Sequence, residues 1–340
     1  MPTMPPLPLS VLDLSPITQG SDAGTSLRNS ADLARHAERL GYRRFWMAEH
    51  HSMPGIASAA TAVALAFVGS QTSSIRIGAG GVMLPNHAPL IIAEQFGTLE
   101  SLFPGRVDLG LGRAPGTDQA AAYAMRRNLS SDADRFPNDV VELMGYFKGE
   151  NGRVRAIPGE GLDIPIWILG SSLFGAQLAA MLGLPYAFAS HFAPQMMMEA
   201  IALYRERFEP SAQLAEPYVM LGFNAIVAET DAEAELLSTS VQQAFVSLRT
   251  GEATQLPPPK PGYAEELPLE ARAILRSVLS ASAIGSPATA RRQLADFVER
   301  TRPDELMITA QVYDHAARLR SFELLMEAVR QPEAAAATGP

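Results

Sequence analysis

The chain contains no cysteine among its 340 residues. Disulfides, zinc thiolate sites and thiol nucleophiles are thereby excluded, while nothing positive follows about compartment. Positive charge is also in short supply. The 27 lysines and arginines face 36 aspartates and glutamates, a net charge of −9, which argues against nucleic acid or any other phosphate-backbone partner. No uninterrupted apolar run reaches membrane-span length; even residues 57–68 are too short and include Ser58 and Thr61. The N-terminal MPTMPPLPLS lacks a charged leader and a long apolar core, so a cytoplasmic protein without signal peptide or membrane partner is expected. No Walker sequence is present. The spacing Gly110-x-Gly112-x-x-x-Gly116 is wrong for a dinucleotide fingerprint, and no such fingerprint follows the first strand.

Apolar residues make up 47% of the chain, enough for a sizeable core. The most informative stretch is residues 75–116, which reads as strand, helix, strand. Ile75 and Ile77 alternate about Arg76, Pro89 suits a first helical turn, and Ile92, Phe96, Leu99 and Phe103 repeat at helical spacing before Pro104-Gly105. Val107, Leu109 and Leu111 then alternate as a second strand. This is a βαβ unit, and the unit repeats. Further strands are expected over residues 9–14, 45–48, 164–169, 186–190, 218–228 and 305–310, with helices over 26–40, 57–72, 132–147, 175–182, 195–208, 286–300 and from about 319. Thr230 and Glu233 form a capping box for another helix. Eight strands alternating with helices make the α/β class a (β/α)8 TIM barrel rather than a doubly wound open sheet. A single domain over residues 1–332 is expected, with a proline-rich insertion at about 250–285 before the last strand and a loose tail at 333–340.

In parallel α/β folds, ligands are held by the loops at the carboxyl ends of the strands. Here those ends carry Ser15, Glu49-His50-His51, Gly80-Gly81, Gly112-Arg113 and Gly170-Ser171-Ser172. Glycines let a flat ligand approach the backbone, and one arginine among them suits a phosphate; tight turning with an ordinary surface arginine is the plainer account. Glu49, His50 and His51 can form a general acid or base held by a carboxylate, a structural hydrogen-bonded cluster, or a metal site. The last is disfavoured because adjacent side chains of a strand point to opposite faces. Ser171 and Ser172 before a helix can cradle a phosphate or simply cap the helix.

These segments resemble the bacterial luciferase-like flavin monooxygenase family, above all the single-chain luciferase family oxidoreductases. The resemblance runs through LSVLDLSPI, RFWMAEHH, GAGGVMLPNHAPLIIAEQFGTLESLFPGRVDLGLGRAPGTD, PIWILGSS and DELMITAQVYDHAARLRSFELL. It implies a TIM barrel that binds reduced FMN supplied by an NAD(P)H-dependent flavin reductase, uses oxygen to oxidise a small organic substrate, and forms a homodimer. It places the family's catalytic histidine on His50 with His51 and Glu49 beside it, a non-proline cis peptide on Gly80-Gly81, the phosphate-binding arginine on Arg113 after Gly112, and further phosphate contacts on Gly170, Ser171 and Ser172. Light emission is not carried over, because the light-emitting enzymes have a cysteine where this chain has Gly112. Their flavin-side tryptophan has no match in Ala189-Ser190-His191-Phe192, which makes His191 a pocket-lining candidate. An F420-dependent hydride-transfer enzyme and a non-catalytic flavin-binding protein are the two alternatives on the same barrel. Substrate specificity is expected in residues 116–132 and 250–283.

Overall fold

The computed structural model describes residues 7–113, 124–125 and 135–330. The tail at 333–340, the start of the helix expected at 132, and residues 116–132 apart from 124–125 lie outside the described residues. Nine strands appear in chain order: β1 (Leu9–Asp13), β2 (Arg44–Met47), β3 (Arg76–Met83), β4 (Val107–Gly112), β5 (Ile166–Gly170), β6 (Tyr186–Phe188), β7 (Val219–Val227), β8 (Ser282–Gly285) and β9 (Glu305–Thr309). All pairings between named strands are parallel. Neighbours run β1 to β7 in sequence order, and β9 closes the ring between β7 and β1. The result is a closed eight-stranded barrel, as the sequence pattern implies.

β8 is the departure. It was not expected, and it stands outside the ring. The first residues of β7 pair with β6, from Tyr186↔Val219 to Phe188↔Leu221, and its last residues pair with β8, from Asn224↔Ser282 to Val227↔Gly285. Since β6 is only three residues long, β7 outruns it and exposes an edge that β8 covers. Four residues reading Ser-Ala-Ile-Gly carry too little alternation to announce a strand.

The described helices are α1 (Ala23–Leu40), α2 (Thr61–Ser70), α3 (Pro89–Leu102), α4 (Phe136–Lys148), α5 (Leu173–Leu182), α6 (Met197–Arg207), α7 (Asp231–Arg249), the single turn α8 (Tyr263–Glu266), α9 (Leu269–Val278), α10 (Pro287–Thr301) and α11 (His315–Arg330). Local chemistry starts them. Asp22 accepts from Thr25 N and begins α1 three residues before the expected Ser26. Thr230 Oγ1 accepts from Glu233 N at 3.2 Å, as the capping box requires. Pro89 and Pro287 occupy first-turn positions where a missing N–H costs nothing. α2 starts at Thr61 rather than 57. The insertion is less irregular than its prolines suggest: α9 buries Leu275 and Val278. Its leading end is tied to the β1–α1 loop, since Leu256 N donates to Ile17 O and Gln19 N to Leu256 O, both at 2.9 Å.

Strand alternation creates two separate cores. Leu9, Val11, Phe45, Ile77, Leu109 and Ile308 belong to the layer between barrel and helices. Leu12, Trp46, Trp167, Ala187, Met220 and Met307 fill the barrel itself. At the amino ends of the strands the inward positions are charged. Arg44 donates to both Asp108 and Glu305 at 2.8 Å, Arg76 donates to Asp108 at 2.7 Å, and Trp46 Nε1 donates to Asp108 at 3.1 Å. Ser10 and Tyr218 add hydroxyl donors to Glu305. Asp108 and Glu305 are completely buried, and every one of these contacts is charge-assisted.

Candidate active site at the barrel mouth

At the opposite end the inward positions become small. Following the alternation upward from Trp46, Ala187 and Met220 gives Ala48, Ala189 and Gly222, with Gly80 and Gly112 on the neighbouring strands; Leu169, above Trp167, is the bulky exception. β3 and β4 approach so closely here that side chains have no room. A Cβ on Gly81 would lie 2.7 Å from Gly110 O, and one on Gly110 would lie 2.3 Å from Ala79 O. β3 bulges between Ala79 and Val82, and the Gly80–Gly81 peptide is cis. Glycine is therefore demanded by close backbone approach, and it leaves a floor on which a flat ring can lie. A cavity of ≈ 40 Å³ opens above it, lined in part by Leu12, Gly80, Leu169, His191, Gly222 and Met307. Two rim loops also hold residues at positive φ that are not glycine, Ser15 (47°) and Ser52 (56°). Such conformations cost of order 1–3 kcal/mol and gather at functional sites.

The Glu49, His50 and His51 group divides. Arg44, Trp46 and Ala48 point inward, and beyond the end of β2 Glu49 and His51 turn toward the end of β3, while His50 lies close enough to the cavity-lining His191 to act on its charge. Glu49 Oε1 accepts from Nε2 of His51 and from Nε2 of His87, both at 2.8 Å, and Oε2 accepts from Met83 N at 3.3 Å. Burial would raise the Glu49 carboxyl, but the His87 and His51 contacts outweigh it and hold the group below the usual carboxylate range. An ionised carboxylate only accepts, so both imidazoles carry their proton on Nε2. Of the two adjacent histidines the carboxylate orients His51, and it also holds His87. His87 was not among the expected site residues, although it ends the same glycine-containing loop. The three ligand atoms of Glu49, His51 and His87 lie within 4.8 Å of one another, near enough to share a divalent cation. Without an ion, the two hydrogen bonds already engage them.

Across the mouth, the β4 and β5 ends come together. The Arg113 guanidinium sits 4.2 Å from the centroid of the Phe174 ring, a cation–π contact that places it over the first turn of α5. Ser172 occupies the N-cap position of α5 with extended backbone, yet its side chain makes no capping hydrogen bond. Plain capping therefore does not account for Ser172. The first N–H groups of α5, the exposed Ser171, the part-buried Ser172 and the Arg113 cation thus all stand at the same end of α5. Free N–H groups and a helix dipole favour an anion there. Gly170 and Gly175 allow this turn to pack tightly, a Cβ on Gly175 falling 3.5 Å from Gly170 Cα.

His191, beyond β6, lines the cavity. Burial, with help from the neighbouring His50, pushes its imidazole down to about 4.

The structure is a TIM barrel whose glycines, histidines and Arg113 stand at the carboxyl ends of the strands, where such folds hold their ligands. Residues 7–304 match the Luciferase-like monooxygenase family, and the chain belongs to it. It is 53% identical over 320 residues to a luciferase-like monooxygenase of Escherichia coli (strain K12), covering 94% of this chain and 96% of that protein. Among solved structures, apo-MsnO8 is similar with a TM-score of 0.85 and 34% identity, covering 95% of this chain and 98% of that one. More distant neighbours share the fold alone. They include the oxygenating constituent of 3,6-diketocamphane monooxygenase in complex with FMN (TM-score 0.70, 18% identity) and an F420-dependent secondary alcohol dehydrogenase (0.67, 15%). Among the described residues no helix is long and apolar enough to cross a membrane.

Proposed function

We propose that this monooxygenase-family protein binds reduced FMN at the barrel mouth and, with O2, oxidises a small organic substrate, the flavin arriving from a separate NAD(P)H-dependent reductase in the cytoplasm. The observation that carries this reading is the Arg113 cation over the uncapped first turn of α5, where Ser171 and Ser172 stand, at the same end of the barrel as the glycines of β3 and β4. The residues fit the cofactor in their chemistry: the seat matches a phosphomonoester, and Gly80, Gly81 and Gly112 present backbone without side chains to a flat ring. When bound, the flavin supplies the redox and oxygen chemistry. The chain's part is to hold the phosphate, keep the ring against Gly80–Gly81, and exclude water with the apolar wall of Leu12, Leu169 and Met307. His50 faces the reacting side and transfers a proton, a role for which imidazole suits neutral pH. The triad His51–Glu49–His87 fixes the β2 and β3 ends so that His50 is presented in one direction. A homodimer accords with the exposed apolar side chains of α2 and α3, where Val63 is 72% and Leu102 60% exposed.

The test is direct. The purified protein should bind reduced FMN at one site per chain and consume oxygen when supplied with a flavin reductase and a panel of aldehydes, ketones and thiols. Hydride transfer to or from F420 under anaerobic conditions, with no oxygen uptake, would replace this reading with the deazaflavin one; flavin binding without any turnover would leave a binding protein. Arg113→Ala should weaken FMN by about 10–100-fold, as expected for loss of a charge-assisted hydrogen bond, and leave riboflavin nearly unaffected. Equal losses for both ligands would remove the phosphate from Arg113.

A further inference from the structure

His191 is the polar side chain of the cavity for which neither the phosphate seat nor the proton transfer at His50 has a use. Its turn is fastened to β7 from two sides. Asn224 Nδ2 donates to His191 O at 2.8 Å, and Ser190 Oγ donates to Gly222 O at 2.6 Å. These bonds press the imidazole edge-on against Gly222, where a Cβ would lie only 2.1 Å from Nδ1. Nδ1 is buried and has no hydrogen-bond partner. A proton on Nδ1 would be a buried N–H with nothing to receive it, which costs a full desolvation penalty. A lone pair on Nδ1 instead faces the Cα–H of Gly222, a weak favourable contact. The proton therefore belongs on Nε2, the nitrogen left to the cavity.

We propose that His191 is a neutral hydrogen-bond donor of the site, with Gly222 fixing its tautomer so that Nε2–H is offered to a carbonyl or developing oxyanion oxygen of the ligand on the glycine floor. The inference rests on the proposed flavin reading for the identity of that ligand, but the tautomer stands on this chain alone. The work of the two histidines is then divided. His50 exchanges a proton; His191 keeps its own and stabilises negative charge, as neutral imidazoles do where burial stops them from ionising. His50 is the titratable group that acts on the His191 ring from the loop after β2, and a positive charge there would further discourage a second one on His191.

The test has two arms. In 15N spectra of the ligand-free protein, His191 should show the Nε2–H tautomer and no titration between pH 5 and 8. Gly222→Ala, whose methyl group takes the place of the Nδ1 edge, should abolish that fixed tautomer. A His191 signal that titrates near 6.5, or that carries its proton on Nδ1, overturns the proposal. In the flavin-loaded enzyme, His191→Phe should leave FMN affinity within about 3-fold while lowering kcat roughly 100-fold, the usual effect of removing one such donor. His191→Gln, whose amide nitrogen overlays Nε2, should recover most of the loss, whereas His191→Asn, which overlays Nδ1, should not. Wild-type turnover in a flavin-bound His191→Phe variant sinks the inference and leaves the flavin reading standing. Failure of the wild-type protein to bind flavin sinks that reading, and the spectra still decide the tautomer.

Discussion

At the amino ends of the strands, the inward-facing charged groups are matched: Arg44 and Arg76 against Asp108, Arg44 and Tyr218 against Glu305. At the carboxyl ends the matching is incomplete. His191 Nδ1 and, at the end of β9, Thr309 Oγ1 are buried without a partner, and Ser172 leaves its helix uncapped. The same inward positions of the same strands thus serve two purposes. The closed end sets the register of the barrel, because a charge buried there tolerates no slip. The open end keeps polar capacity in reserve for a ligand and replaces bulk with glycine. At the base the desolvation of the charges is compensated within the protein; at the mouth the proposed ligand would compensate it.

The comparison breaks first at the base. Glu305→Ala strands Arg44 in the barrel without one of its two carboxylates and should cost about 3–5 kcal/mol, read as a lowered denaturant midpoint at unchanged m-value. A loss no larger than that of a surface substitution would mean that the base network does not hold the barrel. Acid should weaken the mouth next. An unfolded His191 gains its proton near 6.5, whereas the folded ring gains it near about 4. Between those values the unfolded chain binds more protons, so stability falls as pH is lowered through that window, by up to about 3 kcal/mol at 1.36 kcal/mol per unit. His191→Phe should remove this contribution from the stability–pH curve, and an unchanged curve would show that His191 is not the source. The smallest effect is expected at the floor. Gly112→Ala meets nothing nearer than Val82 O at 3.9 Å and should change stability by less than about 0.5 kcal/mol. Gly110→Ala, whose Cβ would overlap Ala79 O, should cost about 1–3 kcal/mol. Equal effects would deny that the mouth is roomier than the wall beneath it.

Most of the fold was legible because glycine, proline and alternating apolar residues mark strand ends and helix starts locally. The Ile75–Gly116 stretch showed its βαβ unit without help. What escaped depended on distant pairing. β8 exists only because β6 ends early beside a long β7. His87 reaches Glu49 because the β2–β3 register places Met47 against Ala79, and no spacing within one segment reveals that. The base network leaves a trace in the sequence: Arg44, Arg76, Asp108 and Glu305 each stand near the start of an apolar strand, where a charge can survive only by finding its opposite across the barrel. His191 was picked out as a pocket candidate, but its partner Gly222 belongs to another strand, so its tautomer was invisible until both were placed.

The central claim is that an anion seat at Arg113 and α5 and a ring floor at Gly80–Gly81 belong to one ligand. A crystal structure of the protein with FMN tests it most directly. The account predicts the phosphate within hydrogen-bonding distance of the Arg113 guanidinium and the first N–H groups of α5, with the ring lying over Gly80–Gly81 and His191 Nε2 facing the cavity. A phosphate located elsewhere on the rim, or a ring that leaves the glycine floor uncovered, would contradict it.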